Sequence, residues 1–130
     1  MRGLLTAVLL LSACGSNTGD SSSGGAGVKA VDLTPSAEQI HFARTAVPAD
    51  SNLAAKYERS CRTCHSAVDA AAPLTGHKEA WTGRLSERGK AGLLAHTKTG
   101  FNAMPAMGLC NDCSDEDLNA MIEFMSGRTE

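Results

Sequence analysis

The feature that most limits the possible folds of this chain is the pentapeptide Cys61-Arg62-Thr63-Cys64-His65. Two thiols three residues apart lie about one helical turn from each other, so both can add to vinyl groups along one edge of a porphyrin. The imidazole of the next residue then lies under the metal. The pattern therefore predicts one covalently attached haem c, with Cys61 and Cys64 as its attachment residues and His65 as a ligand to its iron.

Three other interpretations of this cysteine pair carry less weight. A redox-active Cys-x-x-Cys motif is expected within a βαβ unit, and no stretch of this sequence alternates as a strand would. A zinc site shared with Cys110 and Cys113 would need pairs about 15–20 residues apart, whereas residues 65–109 separate these two pairs. A plain structural disulfide leaves the adjacent histidine without a role.

The composition also favours a large cofactor. The chain of 130 residues has one Trp, one Tyr and three Phe, which is little aromatic mass for the core of one modest domain. Small domains of this kind usually need a disulfide, a metal or a cofactor to fold. We expect a haem to serve as the apolar disc around which several side chains pack: Trp81, Phe101, Leu74, Leu85, Leu93 and Leu94. The net charge of −2 gives no indication of nucleic-acid binding.

The first residues are typical of an export signal. Arg2 provides a positive start, residues 4–11 are apolar, and small residues follow. A helix of about ten residues rises roughly 15 Å, too little to cross a hydrocarbon core of about 30 Å. Residues 11–14, Leu-Ser-Ala-Cys, resemble the bacterial lipobox, which implies cleavage before Cys14 and acylation of that cysteine. The alternative is a plain signal peptide followed by a stray cysteine.

The chain is therefore expected to have three parts. Residues 1–13 are a lipoprotein signal peptide, residues 14–49 a lipidated flexible tether, and residues 50–130 the folded domain. Thr34-Pro35-Ser36-Ala37-Glu38 can begin a short helix with the proline in its first turn. Whether that segment packs on the domain or stays part of the tether is left open by the sequence.

We predict an all-α domain. A helix capped by Asp50 or Ser51 extends to Cys61, residues 78–88 and 90–98 form helices on either side of Gly89, and a last helix runs from its cap at Ser114 to residue 127. The apolar residues of the last helix follow the spacing i, i+3, i+4, i+7 of a buried face: Leu118, Met121, Ile122 and Met125.

A haem iron with one histidine has either a second protein ligand or an open coordination site. The candidates are Met104, Met107, His77, His96 and His41. Met104 is favoured because it lies next to a proline in a loop bounded by two glycines; Met107 is second and a histidine third. Histidine–methionine ligation raises the reduction potential relative to bis-histidine ligation. A filled sixth position also disfavours oxygen or peroxide chemistry.

At this point the sequence resembles cytochrome c5, a branch of the class I cytochromes c. The resemblance covers residues 52–126 and is carried by five features: Cys61 to His65, Ala-Pro-Leu-Thr-Gly at 72–76, Trp81, Asn-Ala-Met-Pro at 102–105, and Cys110-Asn-Asp-Cys113.

The resemblance implies an all-helical class I cytochrome c fold wrapped around the haem. It implies that His65 and Met104 are the axial ligands and that the carbonyl of Pro73 accepts a hydrogen bond from His65. It places Trp81 beside the haem. In the family, the pair that matches Cys110 and Cys113 forms a disulfide.

An oxidising compartment also makes a disulfide the default for that pair. A redox-active role for it is disfavoured, because the acidic residues nearby disfavour a thiolate. With this assignment each of the five cysteines has a role in lipid, haem or disulfide chemistry.

The predicted function is electron transfer by a lipid-anchored protein that faces the periplasm and meets its redox partner proteins transiently. We expect no enzymatic activity, no small-molecule substrate and no nucleic acid. Two alternatives remain. The first is a haem peroxidase or gas sensor with a labile sixth ligand, and the second is a structural lipoprotein held by zinc or a disulfide.

Overall fold

The computed structural model describes residues 31–127, and this part of the chain is helical. Its α-helices are α1 (Ala37–Thr45), α2 (Ser51–Arg59), α3 (Arg62–His65), α4 (Lys78–Thr99) and α5 (Asp115–Ser126), with 3₁₀ turns at Val68–Ala70 and Ala106–Leu109. Between residues 31 and 127 the sole β feature is a single bridge between Phe101 and Met104. The predicted all-α class is confirmed. The predicted signal peptide, Cys14 and the Gly/Ser-rich stretch 15–27 lie outside the described residues.

Helix α5 begins and ends where the sequence predicts. The Ser114 hydroxyl accepts the backbone N–H of Asp117, and the Asp117 carboxylate accepts the N–H of Ser114, which closes a capping box. Gly127 ends the helix in the left-handed conformation, with φ of 68°. The four residues predicted for its inner face are all buried: Leu118, Met121, Ile122 and Met125.

The boundaries of the middle helices follow from single residues. Gly89, with φ of 64° and ψ of 176°, interrupts α4 and divides it into the two predicted segments. Asp50 caps α2 by accepting the N–H of Leu53. The prediction that α2 continues to Cys61 is wrong, because Ser60 leaves the helical region (φ −128°, ψ −81°). The pentapeptide therefore lies at a separate one-turn helix, α3.

Helix α1 forms in the segment that the sequence left open. Its N-cap is Ser36 and its capping box is completed by Gln39, so Pro35 precedes the helix rather than entering its first turn. Ala43 of α1 is completely buried, which shows that the helix packs on the rest of the structure. The domain boundary at residues 49 and 50 stays a prediction, and α1 lies on the tether side of it.

The core joins α2, α4 and α5. Tyr57 of α2 is fully buried; its hydroxyl lies 2.8 Å from the Thr75 hydroxyl, and its ring meets that of Phe124 edge to face at 5.1 Å. The ammonium of Lys56 lies 2.6 Å from the Asp117 carboxylate and ties α2 to the start of α5. None of the described helices combines the length and the apolar character needed to cross a membrane. This core supports one side of a large cavity.

Candidate haem site

A cavity of about 330 Å³ lies between α3, α4 and the loop at residues 100–109. Its size falls within the range of about 300–1,000 Å³ that is usual for small-molecule and cofactor sites. Most of its wall is apolar. The predicted attachment residues, axial ligands and their two predicted neighbours all line it: Cys61, Cys64, His65, Met104, Pro73 and Trp81.

The two thiols of the pentapeptide face different surroundings. Cys61 is 6% exposed, and its Sγ lies 3.4 Å from the Met121 sulfur in the core, whereas Cys64 is exposed. Burial raises the pKa of the Cys61 thiol above its ordinary value. Neither cysteine is in a disulfide. Both thiols therefore border the cavity in the reduced form that addition to a vinyl group requires.

His65 is held as a metal ligand would be. Its Nδ1 lies 2.7 Å from the carbonyl oxygen of Pro73, which can only accept, so Nδ1 carries the proton and Nε2 keeps its lone pair. The backbone carbonyl of His65 accepts the N–H of Thr75 at 2.9 Å. Burial lowers the pKa of His65, which favours the neutral, metal-binding form, and the charge of Arg84 acts in the same direction.

Trp81 fixes the orientation of the histidine ring from a second side. The two rings are 5.7 Å apart between centroids and inclined by 27°. The indole N–H donates to the carbonyl of Leu74 at 2.8 Å, so the buried polar atom of Trp81 is satisfied. His65 is thus held by the loop at residues 73–75 and by one face of α4.

Met104 reaches the cavity from a loop with unusual backbone geometry. Phe101 and Met104 exchange two backbone hydrogen bonds, of 3.0 and 2.9 Å, which close the loop on itself. Gly108 has φ of 55°, and a Cβ added there would lie 3.4 Å from the Met104 methyl group. The Met104 side chain is therefore held between Gly108 and the backbone bridge that Met104 forms with Phe101.

The structure separates the candidates for the second axial position. Met104 and His96 line the cavity, and the ring of His96 stacks on that of Phe101 at 4.3 Å. The other three do not line it: Met107 packs against the core cluster, His77 lies buried near Glu79, and His41 belongs to α1.

Two arginines at the cavity were not among the residues predicted to lie near the haem. Arg84 and Arg88 line its wall, which contains no acidic residue. Within residues 31–127 neither forms an ion pair, whereas the lysines and arginines at 56, 59, 62, 90 and 98 do. Their spacing from Trp81, i+3 and i+7, is the pattern that places them on the same face of α4. The cavity wall thus carries uncompensated positive charge.

The second cysteine pair lies directly before α5. Cys110 and Cys113 are both buried and are joined by a disulfide. The guanidinium of Arg59 holds the carboxylate of Asp112, with contacts of 2.6 and 2.7 Å, and lowers the pKa of that carboxyl group. Across the described residues, the one cluster of three potential metal ligands is Cys110, Asp112 and Cys113. That cluster leaves out both cysteines of the pentapeptide, so the geometry gives no support to a shared zinc site.

The chain is similar to several known proteins. Residues 48–125 match the family described as cytochrome C oxidase, cbb3-type, subunit III. Cytochrome c5 of Azotobacter vinelandii is 44% identical over 77 residues, which span 58% of this chain and 89% of that protein. Cytochrome c5 of Ectopseudomonas mendocina is 43% identical over 70 residues, or 53% of this chain and 80% of that protein. Cytochrome c-555 of Chlorobaculum tepidum is 30% identical over 80 residues, or 58% of this chain and 73% of that protein.

Proposed function

We propose, on the premise that this chain belongs to the class I c-type cytochromes, that His65 and Met104 are the axial ligands of its haem iron. As a member of that family the chain is a monohaem electron carrier, with covalently bound haem c, and not an enzyme. When bound, the haem supplies an iron that alternates between Fe(II) and Fe(III).

One observation carries this proposal: a single apolar cavity is lined by both thiols of the pentapeptide, by the imidazole of His65 and by the thioether of Met104. Each donor is of the type that haem c chemistry uses. The Nε2 lone pair of His65 is available because Nδ1 is bonded to Pro73.

The residues around the donors set the properties of the redox centre. The bond from His65 to the Pro73 carbonyl makes the imidazole more basic and holds its orientation. The apolar wall excludes water from the ligands, and the positive charge of Arg84 favours the reduced, less positive state of the site. Because these groups are fixed by packing, little rearrangement accompanies a change of oxidation state.

Transient redox partners are proposed to dock where the cavity meets the surface. Cys64 is exposed there, and the lining residues Phe101 and Leu109 are 41% and 61% exposed. A small, largely apolar contact of this kind suits weak and short-lived electron-transfer complexes.

Carbon monoxide binding to the ferrous holoprotein tests the ligation. A methionine bond to iron blocks the sixth position, so we expect the wild type and His96→Ala not to bind carbon monoxide and Met104→Ala to bind it promptly. Prompt binding by the wild type would favour a gas sensor or peroxidase instead. Prompt binding by His96→Ala, with Met104→Ala unchanged, would make His96 the ligand.

We also propose that the chain is exported to the periplasm and anchored through Cys14. The apolar run at residues 4–11 and the Leu-Ser-Ala-Cys quartet support this proposal. Two acyl signals on one residue would hold the protein to a membrane more firmly than a single chain. Cys14→Ser is expected to release the haem protein into the soluble periplasmic fraction. An unacylated wild-type mass in a mass spectrum would contradict the lipid anchor.

A further inference from the structure

Helix α1 lies outside the residues that match the cytochrome family, which begin at residue 48. It is nevertheless a well-formed helix that packs on the domain, since its capping box is complete and Ala43 on its inner side is fully buried. Pro48, which follows the helix, is buried as well. The family fold therefore has an additional element docked against it.

The contacts of α1 converge on one region. The ring of Phe42 lies on the backbone of Gly76, so closely that a Cβ at Gly76 would be 2.5 Å from a ring carbon. The amide of Gln39 donates to the carboxylate of Glu79 at 3.3 Å. The guanidinium of Arg62, within the pentapeptide, donates to the backbone carbonyl of Arg44. The residues at positions 62, 76 and 79 do not line the haem cavity.

Gly76 belongs to the loop that holds His65. The carbonyl of Pro73 accepts from the His65 ring at 2.7 Å, and the N–H of Thr75 donates to the His65 backbone at 2.9 Å. The N–H of Gly76 donates to the carbonyl of Met125 in α5 at 2.7 Å. Gly76 is therefore continuous with Pro73 and Thr75, two residues of this loop that hydrogen-bond to His65.

The backbone conformation of Gly76 benefits from packing against a neighbouring side chain. Its φ of 80° lies in the left-handed region, which glycine adopts at low cost. A glycine backbone also has more conformational freedom than that of any other residue. A flat aromatic ring fits against a residue that has no side chain. Phe42 supplies that ring, and it remains 46% exposed on its other side.

We infer that α1 is a brace for the loop at residues 73–76 and that Phe42 is a positioning residue for His65. The ring of Phe42 limits the motion of Gly76, and the loop transmits that restraint to the Pro73 carbonyl and to the histidine. This assigns to the segment before the family domain a part in setting the redox centre, in addition to any role in anchoring.

Amide hydrogen exchange in the holoprotein tests the brace directly. For Phe42→Ala we expect the amides of Thr75 and Gly76 to exchange about tenfold faster or more, because local opening becomes easier. The amide of Met121, inside α5, reports global stability and is expected to change much less. Leu33→Ala is the matched control, since Leu33 is also half-exposed but precedes α1.

The reduction potential is a second measurement. Its interpretation rests on the proposed ligation of the iron by His65. A looser Pro73 bond makes the imidazole less basic and stabilises Fe(III) less, so the potential of Phe42→Ala should rise above that of the control. If Phe42→Ala does not yield holoprotein, Phe42→Leu is expected to show the same changes at smaller size.

Unchanged exchange at Thr75 and Gly76 in a folded Phe42 variant would overturn the brace. Faster exchange with an unchanged potential would overturn the link to His65. Because the exchange measurement does not depend on which residues bind the iron, a failure of the proposed ligation would leave its outcome unaffected.

Discussion

Two methionines three residues apart have different surroundings in this protein. Met104 faces the cavity, whereas Met107 has φ of 58° and turns its side chain to the core cluster. A non-glycine residue in the left-handed region is costly, and here the cost is offset by packing. The sequence favours Met104 from its neighbouring proline and flanking glycines, but the direction of Met107 depends on a backbone conformation that no local pattern specifies.

Met107→Ala is therefore expected to affect stability and not ligation. Loss of a partly buried methionine side chain should lower the free energy of unfolding by about 2 kcal/mol, measured by denaturant titration of the holoprotein. The spectrum of the folded variant should match that of the wild type. A high-spin spectrum for Met107→Ala would instead assign the iron ligand to Met107.

Arg84 is predicted to raise the reduction potential. Removal of its charge in Arg84→Gln should stabilise the ferric state by on the order of 1 kcal/mol, or lower the potential by about 40 mV for one electron. Spectroelectrochemical titration at low ionic strength measures this shift. Lys78→Gln is the control, because Lys78 is exposed, lies in α4 and does not line the cavity wall. Equal shifts in both variants would contradict a specific role for Arg84.

At the scale of helices, the predictions were best where a boundary depends on one residue. Ser114 and Gly127 define α5, and Gly89 breaks α4, because caps and glycines act within a few residues. The docking of α1 was not predictable, since Phe42 and Gly76 are far apart in the sequence. Ser60 likewise ends α2 without any sequence pattern that marks it.

The link between α2 and α5 should depend on pH. The Lys56 hydrogen bond lowers the pKa of Asp117 in the folded state. The Lys56–Asp117 pair therefore stabilises the fold at pH values above about 4, the pKa of Asp117 in the unfolded chain. This stabilisation is lost as the pH falls through the lower pKa that Asp117 has in the folded state. Asp117→Asn should be less stable than the wild type at neutral pH but close to it near pH 2, as measured by denaturant unfolding at both values. An equal loss of stability at the two pH values would contradict this account.

At the scale of the whole molecule, the core that joins α2, α4 and α5 also forms one wall of the cavity. Trp81, Leu93 and Met125 are buried residues that also line the cavity. Of the six side chains predicted to pack around haem, three line the cavity (Trp81, Leu93 and Phe101) and three do not (Leu74, Leu85 and Leu94). The sequence thus predicted an apolar cavity, but it identified only half of these side chains correctly as part of its wall.

The chain without haem is expected to be unfolded or molten. Without haem, the apolar wall of a cavity of about 330 Å³ would face water, and a small domain depends on that apolar surface being buried. Chain produced without haem attachment should show weak near-ultraviolet circular dichroism and no cooperative thermal transition. A cooperative melt with strong tertiary signals would contradict this expectation.

The most direct test of the central claim, that His65 and Met104 bind the iron, is the absorption spectrum of the ferric holoprotein toward its red end. We predict a low-spin spectrum with the weak methionine–iron band, which Met104→Ala abolishes and Met107→Ala retains. A wild-type spectrum without that band, or one in which Met104→Ala leaves it intact, would contradict the account.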